Sequence, residues 1–533
     1  MHRVHAIVLL VLFTALVSKA FASPPDPPQP PYFLQTILGG GPGAFDPTHL
    51  LGSIRNGVLD DAPINMCQER YRNTTLDHFA WDDQGGTLTY RQRYFFCDEF
   101  WKTEKGGGRG PIFLYTGNEA DVELYLNATG LMWESAPEFG ALLLFVEHRY
   151  YGKSMPFGDD FEKHRKYLTT EQAIADYVEV VTEIKRMYGA EDSAVIAFGG
   201  SLGGMYAAWM RMKYPHVLDG ALAASAPIWS FMGEDPPYVA NSYARVETHD
   251  ASVAAGSTAE CEPNIRKIWP TIWRFSYTPE DRAKMAKAMG FCEDVVFDTP
   301  SSTWYAIFWF KTAVDYLSMG SYSFPSGYMV GGKGLLPAYP MRVLCSHLAE
   351  PLEGLELLKA ASAGAGVYYN YTESKPCNDY RKAVNKDQEL VLANWNYQYC
   401  TEIFGISATD GVTDMFWNSP WNPDGHIEWC WENLGVKPRP YWATQRWGGK
   451  KIQTASNIIF SNGEFDPCSA GGVLKNISES LVAVMIKEGG HHADLMFSHE
   501  GDSDSVKEAR KLEKFFFRKW IAEKKAQNAK EAF

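Results

Sequence analysis

The sequence has no stretch long enough to cross a bilayer. A membrane-spanning helix takes about 20 apolar residues, and the run Ala6 to Val17 has twelve, with no other segment that qualifies. Basic charge is also short: 50 Lys and Arg face 64 Asp and Glu, a formal net charge of −14. That balance argues against a nucleic-acid or anionic-membrane partner. No Cys-x-x-Cys pair marks a metal centre, and no internal repeat marks a solenoid. Within those exclusions the composition, 45% hydrophobic and 21% charged, is that of a globular protein. At 533 residues the chain is too long for one ordinary core, so a large domain with a second or inserted one is expected.

The N-terminus carries an address. His2, Arg3 and His5 precede the twelve-residue apolar run, which ends near Ala20-Phe21-Ala22. A basic start, a short apolar core and a small-x-small site make residues 1–22 a secretory signal peptide, cleaved after Ala22. In an oxidising lumen most of the nine cysteines should pair, and the odd number leaves at least one thiol over. Sequons at Asn73, Asn127, Asn370 and Asn476 fit surface glycosylation. The expected location is therefore the secretory pathway, lysosomal or vacuolar, or extracellular.

Residues 23–60 are rich in Pro and Gly and read as a flexible leader. Strands are expected at Thr87 to Phe96, after a turn at Asp82 to Gly86, and at Pro111 to Tyr115, Ala141 to Val146 and Val195 to Phe198. Thr169 to Tyr188 has the apolar period of a helix, with Thr169 and Gln172 as a capping box. A further strand, Ala221 to Ser225, completes the alternation of a doubly wound parallel sheet, an α/β fold. Between about Ile228 and Tyr441 the alternation stops, and helical pieces, aromatics and most cysteines take over. Strands return at Asn457 to Ser461 and Leu481 to Ile486. A closing helix is expected over Ser505 to Lys524, capped by Ser505 and Glu508. The expected plan is a hydrolase domain over 61–228 and 441–533, interrupted by a helical cap at 229–440.

One stretch organises the rest. Gly199-Gly200-Ser201-Leu202-Gly203 lies between an apolar strand and a helix that Pro215 stops. A G-x-S-x-G turn in that setting is a nucleophile elbow, with the Leu202 N–H and the helix start facing a developing oxyanion. A serine nucleophile needs a base, and the base an orienting carboxylate, following it in the order Ser, Asp, His. The strand Asn457 to Ser461 runs into Glu464-Phe465-Asp466-Pro467, and Leu481 to Ile486 runs into Gly489-Gly490-His491-His492. Asp466, constrained before Pro467, is preferred to Glu464, and His491 to His492. The expected triad is Ser201, Asp466 and His491.

These motifs resemble a known family. Gly199-Gly200-Ser201-x-Gly203-Gly204-Met205, Tyr115-Thr116-Gly117-Asn118-Glu119, Glu147-His148-Arg149-Tyr150-Tyr151-Gly152, Asn462-Gly463-Glu464-x-Asp466-Pro467 and His491-His492-x-Asp494-Leu495 are similar to those of lysosomal Pro-X carboxypeptidase and dipeptidyl peptidase II. The likeness runs from about Asp77 to Trp520. Phe157-Gly158-Asp159 and Tyr368-Tyr369-Asn370-Tyr371 bring it closer to the Pro-X carboxypeptidase branch. The resemblance implies an α/β-hydrolase with a helical, disulfide-containing cap. It implies a serine exopeptidase acting after proline through an acyl-enzyme, with the same triad and no cofactor or metal. It further implies Cys261–Cys345, Cys292–Cys377 and Cys400–Cys430 bridges; Cys67 and Cys97 can form another, leaving Cys468. Three departures stand out: Leu202 where the family usually has Tyr, Cys468 where it commonly has Trp, and no cysteine for a further cap disulfide.

Substrate-binding groups are expected at Leu202, Met205, Cys468 and the loop Gly117-Asn118-Glu119. Met205 suits an apolar slot for a proline ring, with Trp417, Trp421 and Trp431 as further candidates. An exopeptidase must also hold a chain terminus: Glu119 suits an amine and Arg149 a carboxylate, or both pair with neighbours and hold loops. The expected partners are peptides with proline before the scissile bond, with neither nucleic acid nor a membrane anchor; a homodimer is compatible with the sequence. The main reading is release of a C-terminal residue after proline. Release of N-terminal Xaa-Pro dipeptides, an esterase on the same fold and an inactive hydrolase-like binding protein are the alternatives.

Overall fold

The computed structural model describes residues 63–80, 88–103, 108–331, 334–370, 374–382 and 386–531. The expected signal peptide, the leader and the turn at Asp82 to Gly86 lie outside the described residues. Among the described residues eight strands form one sheet: β1 (Gln68–Thr75), β2 (Thr89–Cys97), β3 (Ile112–Thr116), β4 (Leu142–Val146), β5 (Val195–Gly200), β6 (Gly220–Ala224), β7 (Ile458–Gly463) and β8 (Leu481–Ile486). Their order across the sheet is β1-β2-β4-β3-β5-β6-β7-β8. The pairings of β2 with β1 and with β4 are antiparallel, and every other pairing is parallel. This is the α/β-hydrolase arrangement, with β5 near the middle.

Every residue of the parallel strands β3 to β7 is buried, and their sequences are accordingly mostly apolar, whereas β8 at the sheet edge leaves Met485 exposed. Along them side chains alternate between two cores. Phe113, Tyr115, Ile196, Phe198, Leu222 and Ile459 face one. Ile112, Leu114, Val195, Ala197, Ala221 and Ile458 face the other. The first core is closed by the C-terminal helix Asp504–Glu531, whose Phe517 ring lies 5.0 Å from Phe198 and 6.0 Å from Phe113. Trp520 of that helix lies on β6 so closely that a Cβ on Gly220 would come within 2.0 Å of its ring. The second core is closed by the helices Thr170–Tyr188 and Leu202–Lys213.

Local expectations were met unevenly. Thr169 caps its helix, accepting from Gln172 N at 3.2 Å. Gln172 does not return the bond: its side chain is held by Asp77 Oδ1 and by His78 N. Ser505 is not the cap of the last helix; it lies inside, and its Oγ accepts from Lys487 N. The cap is Ser503, whose Oγ accepts from Val506 N at 3.3 Å. On that helix Leu512 is 38% exposed, while Phe517 and Ile521 are buried. Strand β1, absent from the sequence reading, has a largely polar pattern and pairs only with β2.

Among the described residues, the stretch between β6 and β7 holds nine α-helices, from Ser242–Asp250 to Trp442–Trp447, and isolated bridges but no strand. Three disulfides staple it: Cys261–Cys345, Cys292–Cys377 and Cys400–Cys430; the fourth, Cys67–Cys97, ties the start of β1 to the end of β2. Asn73 and Asn476 are exposed and Asn370 is half-buried. Asn127 departs from the expectation: it is 3% exposed and its amide donates to Glu123 O, so this sequon presents no surface for a glycan. Among the described residues no helix is long and apolar enough to cross a membrane.

Replacing Trp520 with Ala removes the ring that Gly220 is shaped to receive. A loss of about 3–5 kcal/mol of unfolding free energy is expected, read from denaturant titration of the folded chain.

Candidate active site

The elbow is built by strain and close approach. Ser201 has φ 58° and ψ −125°, a conformation that costs a non-glycine residue about 1–3 kcal/mol. The surroundings hold it there. Ser201 N donates to Ala224 O at 2.9 Å, and Met205 N donates to Ser201 O at 3.0 Å. The flanking glycines leave no room for side chains: a Cβ on Gly199 would meet Gly203 C at 2.2 Å, one on Gly203 would meet Thr116 O at 2.6 Å, and one on Gly204 would meet Ala224 O at 2.7 Å. Thr116 Oγ1 locks the turn further by donating to Gly203 O. The helix Leu202–Lys213 starts at the next residue, so its free N–H groups face the space above Ser201.

Asp466 and His491 come from the loops after the neighbouring strands β7 and β8. His491 Nδ1 lies 2.9 Å from Asp466 Oδ1. The same oxygen accepts from Cys468 N, making Asp466 the cap of the short helix Pro467–Gly471. Its extended backbone, φ −91° and ψ 113°, is what the following proline requires. Glu464, the rival carboxylate, accepts from Glu488 N instead. With Nδ1 engaged by a carboxylate, the imidazole presents Nε2 as the free nitrogen. Ser201 and His491 line one cleft.

The loop bearing His491 is held on three sides. His491 N donates to Met319 O at 2.8 Å, and Tyr322 OH donates to His491 O at 3.0 Å. Both partners lie in the stretch between β6 and β7. From the C-terminal helix, Arg510 donates to the carbonyls of Ala493, Asp494 and Met496 and to Asp502. His492 has a different setting. It is 4% exposed with φ 38°, its backbone N–H donates to Ser225 Oγ, and neither ring nitrogen has a hydrogen-bond partner among the described residues. Burial and the neighbouring His491 push its pKa well down, so the ring is neutral. It fills the space beneath Gly200, where a Cβ would come within 2.6 Å of it.

The cleft has a volume of about 200 Å³ and a largely apolar lining. Ser201, Leu202, Met205, Asn118, Glu119, Cys468 and His491 all line it; Gly117 does not. Gly117 is buried against β4, where a Cβ would lie 2.3 Å from Val146 O, and its carbonyl accepts from Tyr177 OH. Arg149 is also removed from the list of terminus binders. It is fully buried, pairs with Asp176 and donates to the carbonyls of Thr75, Leu76 and Tyr167. The proposed tryptophans lie elsewhere: Trp417 packs against Trp269 and Trp304, Trp421 against Phe404 and His426, and Trp431 is 63% exposed. The apolar walls instead include Phe231, Tyr243, Met319, Tyr328 and Trp395. The sequence reading missed these; the aromatic density of the stretch after Ile228 was the available signal.

Glu119 is the unusual group. It is 4% exposed, its Oε2 has no hydrogen-bond partner among the described residues, and burial raises its pKa to about 7, with its own backbone N–H, the Asn118 side chain and His491 pulling the other way.

Residues 74–513 match the profile of the family described as Serine carboxypeptidase S28. The lysosomal Pro-X carboxypeptidase of Pongo abelii is 41% identical over 456 residues, covering 85% of this chain and 88% of that protein. The Homo sapiens protein of the same name is 40% identical with the same coverage. A Caenorhabditis elegans protein called prolyl carboxy peptidase like protein 5 is 32% identical, covering 90% of this chain and 96% of its own.

Proposed function

The chain belongs to the serine carboxypeptidase S28 family and is a serine-type peptidase, and from that premise we propose that it releases C-terminal residues that follow proline. Ser201 is the nucleophile, His491 the general base and then acid, and Asp466 the group that orients and stabilises the imidazolium. The observation that carries this reading is the 2.9 Å bond from Asp466 to His491, with the free side of the imidazole on the cleft that Ser201 also lines. Ser201 Oγ attacks the carbonyl of proline as His491 takes its proton. The oxyanion faces the Leu202 N–H at the helix start. His491 then passes the proton to the departing amine, leaving prolyl acyl-enzyme, and a water activated by the same imidazole completes the cycle. In this reading 61–228 and 441–533 form the hydrolase unit and 229–440 the cap that supplies the far wall of the cleft.

Glu119 decides which terminus the cleft favours. An N-terminal ammonium would want a carboxylate there. A carboxyl whose pKa is raised to about 7 is mostly neutral in an acidic compartment, and a neutral carboxyl donates a hydrogen bond to a terminal carboxylate. The buried Asn118 amide beside it offers further donors. That preference supports the carboxypeptidase reading over dipeptide release. It also suits a secretory route ending in a lysosomal compartment, the location named for the mammalian relatives.

Ser201→Ala and His491→Ala should each lower kcat by about 10⁴–10⁶-fold with the fold intact, whereas His492 variants should lose less. The assay uses prolyl peptides blocked at either end. Cleavage that tolerates a blocked amine and requires a free carboxylate supports the reading; a strict need for a free amine defeats it. Glu119 adds a pH signature. As pH rises through about 7 the group ionises and repels the substrate carboxylate, so KM should climb. Glu119→Gln, permanently neutral, should flatten that rise by roughly the tenfold that one pKa unit implies. Sedimentation of the same preparation tests the homodimer.

A further inference from the structure

Cys468 is the unpaired cysteine, and it stands beside the triad. One ligand atom each from Asp466, Cys468 and His491 falls within 4.8 Å of the others. A thiol, an imidazole and a carboxylate are the three donor types that zinc prefers. Tetrahedral zinc with bonds of about 2.0–2.3 Å sets its ligands about 3.4–3.8 Å apart, so small side-chain rotations close the site. A second observation points the same way: Asp466 Oδ2 is fully buried and has no hydrogen-bond partner among the described residues.

We propose that Asp466, Cys468 and His491 form an inhibitory site for a soft divalent cation, with zinc as the natural candidate. The inference rests on the proposed roles of Asp466 and His491. Binding replaces the thiol proton, which passes to bulk water, with a metal–sulfur bond, and no electron is transferred. Either ring nitrogen of His491 as ligand stops turnover. Coordination through Nδ1 breaks the orienting bond to Asp466, and coordination through Nε2 removes the base itself. Three protein ligands leave the fourth position to water from the cleft. The open cleft gives the ion an entry path, since Cys468 and His491 both line it.

The test starts from chelator-treated, dialysed protein assayed on a blocked prolyl peptide with increasing zinc. Turnover should fall and return on addition of chelator. In Cys468→Ser and Cys468→Ala, each scored against its own zinc-free rate, the apparent zinc affinity should weaken at least tenfold. Cadmium alone supplies a readout that needs no catalysis. Its thiolate charge-transfer absorption should appear with the native chain and with Ser201→Ala, and be lost in both Cys468 variants. Persistence of that band in Ser201→Ala separates this site from any failure of the peptidase reading. Equal zinc sensitivity in the native and Cys468 proteins, no inhibition at millimolar zinc, or no cadmium–thiolate band would each overturn the proposal.

Discussion

The bond between His491 Nδ1 and Asp466 Oδ1 joins two loops that leave adjacent strands, and its geometry depends on how those loops are held. Neither loop is regular, so each is fixed by side chains and carbonyls from elsewhere. Asp466 is pinned as a helix cap before Pro467. His491 is suspended between Met319 O and the Tyr322 hydroxyl, while Arg510 gathers the carbonyls that follow it. The stretch between β6 and β7 and the C-terminal helix therefore hold the His491 loop in place as well as covering the sheet; on the proposed catalytic reading, a displacement of about 1 Å there would cost about 10²-fold in rate.

The same logic explains two buried ion pairs behind the sheet edge. Arg93 meets Glu147, and Arg149 meets Asp176, with every partner of these two pairs fully buried. Such pairs contribute little net stability when complete and cost several kcal/mol when one partner is lost. Here they fasten loops at the sheet edge: Glu147 also accepts from Ser154 and Lys153 N, and Arg149 collects three carbonyls. Glu119, also buried, is met by the Asn118 amide where those carboxylates are met by Arg guanidinium groups, and burial raises its pKa to about 7.

What could be read in advance followed from periodicity and local chemistry. The apolar runs of β3 to β8 were legible because the strands of a parallel sheet covered by helices are dominated by apolar residues. The polar, edge-lying β1 carried no such signal. The elbow was legible because only glycine fits at Gly199 and Gly203, and the order Ser, Asp, His marked the loops. The cap of the last helix was misread because Ser503 and Ser505 both satisfy the local rule, and the tertiary contact of Ser505 with Lys487 N decides between them. Asn127 and Arg149 look like surface groups by residue type; their burial comes from elements far away in the chain.

By itself the sequence determined strands β2 to β8, the turn that presents Ser201, and the loops that bear Asp466 and His491, because each is written in contiguous residues. Only the tertiary structure decided which carboxylate reaches the imidazole, that Arg149 is consumed by Asp176, that Gly117 stays behind the cleft, and that Tyr243, Met319, Tyr328 and Trp395 form its walls. The physical reason is distance along the chain. Hydrogen-bond partners and cavity walls are chosen by which side chains arrive together after folding, and residues hundreds of positions apart carry no local pattern that records the meeting.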